Sequence, residues 1–198
     1  RAFQGTSQHG LFGDWVEEVD WSVGQVLDTL RQLGLDENTL VLFTSDNGGA
    51  PRHGAINAPL RGGKGSVFEG GMRVPTIAWW PGKIPAGTET DAVTGMLDVL
   101  PTLTGLAGGS VPTDRKIDGG DIWPILSGDA DAASPHDVFY FHRGLKLQAV
   151  RSGPWKLHLG SGELYNLETD IAESRDVAAD HADIVKRLRD LAEQTDGD

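Results

Sequence analysis

The segment Thr39-Leu40-Val41-Leu42-Phe43-Thr44 constrains the fold of this chain more than any other. It is a short continuous apolar run rich in β-forming residues, with no alternation of inward and outward positions. Such a run suits a strand covered on both faces, as in a parallel sheet flanked by helices. The preceding residues supply a helix. From Asp14 onward, Val16, Val19, Val23, Val26/Leu27, Leu30 and Leu33 recur at steps of three and four, while Glu17, Glu18, Asp28 and Arg31 fall elsewhere. This spacing predicts an amphipathic helix. Gly34 is placed to end it as a C′ residue, and Asp36-Glu37-Asn38 to turn the chain into the strand. In open α/β sheets the functional loops lie beyond the carboxyl ends of strands, and the residues in that position here are Ser45-Asp46-Asn47-Gly48-Gly49.

From Gly48 to Gly71 the chain shows little periodicity and holds eight glycines. A stretch of that length without regular structure, inside a compact domain, is usually functional or mobile. Val74-Pro75-Thr76-Ile77-Ala78-Trp79-Trp80 then reads as a second buried strand. Short helices are predicted over Asp98 to Leu106, with Pro101 tolerable only in the first turn, and over Ile122 to Leu126. Beyond Ser134-Pro135 the pattern changes. Four strand-like runs, Val138–Phe141, Leu147–Val150, Trp155–Leu159 and Glu163–Leu167, are separated by glycine-bearing turns and predict an antiparallel meander. From Asp180, Ile184, Leu188 and Leu191/Ala192 share one helical face, with Asp180 as N-cap and Asp183 in the first turn. That helix can cover one face of the meander. The expected division is an α/β part over residues 1–134 and a small α+β part over residues 135–198.

Charge narrows the function classes. The 198 residues carry 17 Lys+Arg against 29 Asp+Glu, a formal charge of −12, so a broad basic surface for nucleic acid or an anionic membrane is excluded. A local cationic pocket for a substrate anion is not. No run of ~18 apolar residues is present, so no transmembrane helix is expected. The absence of cysteine rules out disulfides, thiolate metal sites and a cysteine nucleophile within the chain. The opening Arg1-Ala2-Phe3-Gln4-Gly5-Thr6 lacks an initiator Met and a signal sequence, and reads as a cut end.

Two stretches could carry chemistry. Asp46 and Asn47 pair a carboxylate with an amide oxygen at a strand end, a hard-oxygen pair suited to Ca²⁺ or Mg²⁺; the alternative is an Asx-turn in which both side chains bond backbone groups. In the stretch from Pro59 to Pro75, Lys64 stands between Gly63 and Gly65, and such small neighbours let a backbone approach an oxyanion closely. Arg61 and Arg73 are further cations there, and Glu69 could pair with either. A P-loop is excluded, because Gly65 follows Lys64 where Ser or Thr is required. The alternative is a glycine-rich loop with solvated charges. His53, between the two stretches, could donate a hydrogen bond to an anion or protonate a leaving group. His136 and His181 are expected at the surface, His142 and His158 in the meander, and no histidine pair has zinc-ligand spacing. Ser66 has no identifiable triad.

The order of these motifs carries a resemblance. Gly13-Asp14…Glu18-Val19-Asp20-Trp21-Ser22-Val23-Gly24 leads into Thr39 through Gly48. Leu60-Arg61-Gly62-Gly63-Lys64-Gly65, Glu69-Gly70-Gly71-Met72-Arg73-Val74-Pro75 and Trp80-Pro81-Gly82 follow. Leu97-Asp98-Val99-Leu100-Pro101-Thr102-Leu103 and Leu164-Tyr165-Asn166-Leu167…Asp170…Glu173 complete the series. Over nearly the whole chain it resembles the C-terminal half of the arylsulfatase-type sulfatases, members of the alkaline-phosphatase-like superfamily. The resemblance implies an α/β fold: a partial parallel or mixed sheet of the alkaline-phosphatase-like kind, followed by a small C-terminal antiparallel sheet with a packed helix. It implies Asp46 and Asn47 as the late pair of calcium ligands and Lys64 as the catalytic lysine that contacts the substrate sulfate. His53 falls in a loop where related enzymes often place substrate-facing groups. Arg61, Glu69 and Arg73 are expected to fix the loop, by pairing with one another or with backbone carbonyls.

The resemblance also implies parts that this chain does not contain. Sulfatases of this kind use a formylglycine made from Cys or Ser in a C/S-x-P-S-R motif, together with an early Asp-Asp metal pair, whereas Phe3-Gln4-Gly5-Thr6-Ser7 matches a later Phe-x-Gly-x-Ser stretch. The expectation is therefore a C-terminal portion of a calcium-dependent enzyme acting on a sulfated small molecule or glycan, secreted or periplasmic, and inactive alone. Its sheet edge would need the N-terminal half or self-association as cover, and with two ligands from a shell of about six to eight oxygens the chain alone is expected to be metal-free or to bind Ca²⁺ only in the millimolar range. The competing readings are a phosphonate or phosphate ester hydrolase of the same superfamily, whose members commonly show Asp-His-Gly where this chain has Asp46-Asn47-Gly48, and a non-catalytic scaffold module.

Overall fold

The computed structural model describes residues 2–195. Helix α1, Gly10–Gln32, begins four residues before Asp14. Asp14 is buried inside it, and its carboxylate accepts the amides of Gly5 (2.7 Å) and Ser7 (2.8 Å), which folds the N-terminal turn back on the helix. Gly34 ends the helix in the left-handed conformation (φ 64°), with Leu35 N donating to Leu30 O at 2.9 Å. The apolar stripe of α1 is placed by the predicted period but largely uncovered: Leu11, Trp15, Val16, Val19, Val26 and Leu33 are exposed, Trp15 by 64%. Val23, Leu27 and Leu30 alone are half-buried along the predicted stripe.

Strands β1, Val41–Thr44, and β2, Thr76–Trp79, are hydrogen-bonded neighbours in a two-stranded sheet, but β1 is only half-buried and β2 opens with Thr76 and Ile77 exposed, where covered strands were expected from their apolar runs. The short helix α2, Glu69–Met72, lies between them in sequence. Helix α3, Val99–Leu106, carries Pro101 in its first turn as expected, and α4 is Trp123–Leu126. The meander is a four-stranded antiparallel sheet in the order β3, Phe139–Arg143; β4, Lys146–Ser152; β5, Trp155–His158; β6, Leu164–Asn166. Helix α5, Ala182–Thr195, starts two residues after Asp180, which ends a separate 3₁₀ turn and is not its cap. Leu188 and Ala192 of α5 close the core over Val150, Leu157 and Leu164.

By internal packing the chain forms two compact units. One comprises residues 1–29, 43–77 and 138–198; it contains the strand end after β1, the glycine-rich stretch and the meander with α5. The other comprises residues 30–42 and 78–137. It is organised around Asp98, which is wholly buried and whose carboxylate accepts Gly95 N (2.7 Å) and Gly120 N (2.8 Å) and meets His136 Nε2 at 2.8 Å. The His136 side chain is therefore buried against a carboxylate and not at the surface as expected. His181, likewise half-buried, stacks on Trp155 at 4.7 Å between ring centroids. Every acceptor of Asp98 is occupied by structure, so this cluster holds loops together and offers no free group for chemistry.

Candidate functional site

The strand end after β1 and the glycine-rich stretch are joined through their backbones. Gly48 N donates to Gly71 O (2.9 Å) and Lys64 N to Gly49 O (3.0 Å). Asn57 staples the same region: its Oδ1 accepts Gly49 N (3.0 Å), and its Nδ2 donates to Gly49 O (2.9 Å) and Gly62 O (3.1 Å). Ser66 closes the Lys64 turn by donating to Gly63 O at 2.8 Å. This contact explains the glycines. A Cβ on Gly48 would fall 1.9 Å from Gly70 O, and one on Gly63 would fall 2.7 Å from Gly49 O, so backbone meets backbone where no side chain fits. We expect Gly48→Ala to lower stability by about 1–3 kcal/mol, read as a shift of the urea midpoint; an unshifted midpoint would mean that the two segments do not touch.

Three of the side chains singled out from sequence, those of Asp46, Asn47 and Lys64, make no hydrogen bond or ion pair among the described residues. Asp46 is exposed and Asn47 half-buried, and among the described residues neither side chain has a hydrogen-bond partner. The strand end is turned instead by Ser45 Oγ, which donates to Asn47 O at 2.8 Å. An Asx-turn would have used the carboxylate and the carboxamide; both oxygens remain available. Lys64 is exposed, and among the described residues its ammonium pairs with nothing. The hydrogen bond from its backbone N–H to Gly49 O places the Lys64 backbone beside the segment that carries Asp46 and Asn47. His53 ends a 3₁₀ turn, Pro51–His53, is exposed, and accepts a hydrogen bond on Nε2 from Arg52 Nε at 3.2 Å.

Beneath this loop lies a buried polar network absent from the sequence reading. Lys156 on β5 is wholly buried, with its Nζ 2.7 Å from Glu69 Oε1 and 3.1 Å from Glu173 Oε1. His158 Nε2 is 2.8 Å from Glu173 Oε1, and Glu69 N donates to Glu173 Oε2 at 2.6 Å. Glu69 therefore pairs with a lysine of the meander, where an arginine of its own stretch was expected. Arg61 does meet a backbone carbonyl as expected, donating to Glu173 O at 3.0 Å and also to the Tyr165 hydroxyl at 2.8 Å. The Phe68 ring lies between the Arg61 guanidinium (4.1 Å) and the His158 ring (4.4 Å). The one local hint in the sequence is a lysine between Trp155 and Leu157 in a strand covered along its length.

Burial pushes the Glu173 carboxyl up, but the His158 hydrogen bond, the Lys156 ammonium and the Glu69 amide outweigh it and hold it below the ordinary value of 4.5. A folded-state value below the unfolded one contributes stability that is fully present above about pH 4.5 and is lost as pH falls through the folded value. Glu173→Gln should therefore flatten the acid limb of the stability curve relative to the wild-type protein. Unfolding curves between pH 3 and 6 check this, and parallel limbs for the two proteins would contradict it.

The sequence profile of the Sulfatase family matches residues 1–110, and that described as N-sulphoglucosamine sulphohydrolase, C-terminal, matches residues 63–196. The chain belongs to the sulfatase family. It is similar to the N-acetylgalactosamine-6-sulfatase of Canis lupus familiaris, 48% identical over 162 residues that make up 80% of this chain and 30% of that protein. Among solved structures it is similar to Ps i-CgsB in complex with k-i-k-neocarrahexaose, with TM-score 0.82, 34% identity and coverage of 92% of this chain and 42% of that one. It is also similar to BT4656 in complex with its substrate D-glucosamine-2-N,6-O-disulfate, with TM-score 0.68, 26% identity and coverage of 92% and 39%. The chain thus spans less than half the length of these relatives. Its fold is that of the alkaline-phosphatase-like sulfatases, mixed α/β with a C-terminal antiparallel sheet and a packed helix.

Proposed function

We propose that this chain is the C-terminal portion of a sulfatase that hydrolyses sulfate esters with calcium and an upstream formylglycine nucleophile, and that it is inactive alone. The observation that carries the reading is that Asp46 and Asn47 on one segment and Lys64 on another have side chains without a hydrogen-bond or ion-pair partner among the described residues, while the two segments are held together by the backbone hydrogen bond from Lys64 N to Gly49 O. The donor set is hard and oxygen-only, which fits two positions of a calcium shell, the remaining ligands coming from outside this chain. Calcium bound there would supply Lewis-acid neutralisation of a sulfate oxygen. Lys64 donates to a sulfate oxygen and offsets the charge that grows on the bridging oxygen as the ester bond breaks. Asp46 and Asn47 would hold the cation, and His53 would face the alcohol side of the substrate. Arg61 is already bound to Tyr165 and Glu173, and so orders the loop without touching substrate.

The substrate class is a sulfated small molecule or glycan, with no nucleic acid and no membrane as partner. The glycan and disulfated-sugar complexes of the two structural neighbours support the sugar arm of that class. The enzyme is secreted or periplasmic; among the described residues no helix is long and apolar enough to cross a membrane. The uncovered stripe of α1 supports an N-terminal half, or a second copy, as its cover.

The test is to assay the full-length protein on an aryl sulfate, an aryl phosphodiester and an aryl phosphonate, with the 198-residue chain alone in parallel. The expected result is turnover of the sulfate ester in preference to the phosphorus esters by the full-length protein, and none by the chain. Preference for a phosphorus ester would assign the protein to the phosphoesterase branch, and no turnover of any ester would leave the scaffold reading.

A further inference from the structure

We propose that Glu173 is a positioning residue for Lys64, gripping both ends of the Lys64 loop from the C-terminal segment; this rests on the reading of Lys64 given above. One side of the grip is the Glu173 carbonyl, which accepts Arg61 Nη1 at 3.0 Å. The other is the Glu173 carboxylate, whose Oε2 accepts Glu69 N at 2.6 Å. Arg61 and Glu69 bracket Lys64, and the Gly70 N to Arg61 O bond (2.8 Å) ties the two ends of the loop to each other. A single residue 104 positions beyond Glu69 thus holds both ends of the segment that presents the ammonium.

Glu173 is in turn fixed from every side. Its Oε1 lies 2.8 Å from His158 Nε2 and 3.1 Å from Lys156 Nζ, and Lys156 also binds Glu69 Oε1 at 2.7 Å. Its backbone is left-handed at φ 51°, a conformation that disfavours a residue with a Cβ and persists only where the surroundings impose it. The surroundings do impose it: Glu173 N donates to Asp170 O (3.1 Å), and the Asp170 carboxylate accepts Ser174 N (2.8 Å) and Arg175 N (2.9 Å). The Lys64 side chain is exposed and makes no hydrogen bond or ion pair among the described residues, so no polar partner of its own fixes it and its position depends on its loop. A displacement of that loop by about 1 Å is enough to cost on the order of a hundredfold in rate.

The experiment is a double-mutant cycle on aryl sulfate hydrolysis by the full-length protein: wild type, Glu173→Gln, Lys64→Ala and the double variant, with urea unfolding of each. The expected result is a loss of about tenfold to a hundredfold in kcat/KM for Glu173→Gln, carried mainly by kcat, that shrinks to less than about twofold when Lys64 is already alanine. A general loss of structure would lower activity by the same factor in both backgrounds, and that outcome would overturn the proposal. Arg61→Ala removes the other side of the grip from a partly exposed side chain without stranding a buried charge. It should show the same non-additivity with Lys64→Ala, and additive losses there would overturn the proposal even if Glu173→Gln does not fold. A Lys64→Ala protein as active as wild type would sink the assignment of Lys64 itself, and the positioning role with it; additivity in an enzyme that does need Lys64 would sink the positioning role alone.

Discussion

Replacing Lys64 by alanine in the full-length protein is expected to lower kcat/KM for an aryl sulfate by about 10²- to 10³-fold, the usual cost of removing one preorganised donor from a developing anion. Arg61, the cation three residues upstream, is committed elsewhere. The Arg61 guanidinium is bound to Tyr165 and Glu173 and stacked on Phe68, and withdrawing it would unpair groups on the meander. Among the described residues the Lys64 ammonium makes no hydrogen bond or ion pair, so its removal should leave folding untouched and appear in catalysis alone. A compact ammonium on a flexible stem also differs from a planar fork, so Lys64→Arg should recover only part of the loss. Steady-state kinetics beside a urea curve measure both effects. A change of less than about threefold in kcat/KM, with folding intact, would remove Lys64 from the reaction.

The second large effect concerns stability. Lys156→Met should destabilise the protein by about 3–5 kcal/mol, because it leaves Glu69 and Glu173 as buried carboxylates without their shared counter-charge. Both carboxylates lie almost wholly out of water, as does Lys156, so solvent cannot take over the pairing. The cost comes from stranding charge and not from the gross strength of the ion pair, and this has a testable corollary. Adding Glu69→Gln and Glu173→Gln to Lys156→Met removes the stranded charges and should recover a large part of the loss. Urea midpoints for the single and triple variants separate the two ideas. A single variant within about 1 kcal/mol of wild type would contradict the burial of this network.

Local periodicity made α1, β1, β2 and the meander legible, because each is written within one segment: steps of three and four in α1, a continuous apolar run in β1, repeated strand-turn spacing in β3 to β6. The same logic could not reveal that the α1 stripe is mostly exposed. Periodicity reports which face is apolar and says nothing of what covers it. Nor could it place the start of α5, where a 3₁₀ turn over Ala178–Asp180 takes the residues that looked like a cap. Asp46, Asn47 and Lys64 stood out through residue type at a strand end and in a glycine-rich loop. Asn57 did not, and Glu173 stood in the motif series without a role, although they hold those segments in place. Their partners lie at the far end of a loop or 104 positions away, and an isolated Asn or Glu in a turn carries no period to mark it. His136 was misplaced for the same reason, its partner Asp98 standing 38 residues upstream.

Whether the strand end and the lysine loop serve one cation-and-anion pocket is tested most directly by the dependence of sulfate-ester hydrolysis on calcium. In the full-length protein, Asp46→Asn should raise the calcium concentration for half-maximal turnover by at least about tenfold, as loss of one charged ligand from a shell of about seven implies. Lys64→Ala should instead lower the turnover rate with the calcium requirement nearly unchanged. An Asp46→Asn protein with the wild-type calcium requirement, or hydrolysis indifferent to calcium, would contradict the account.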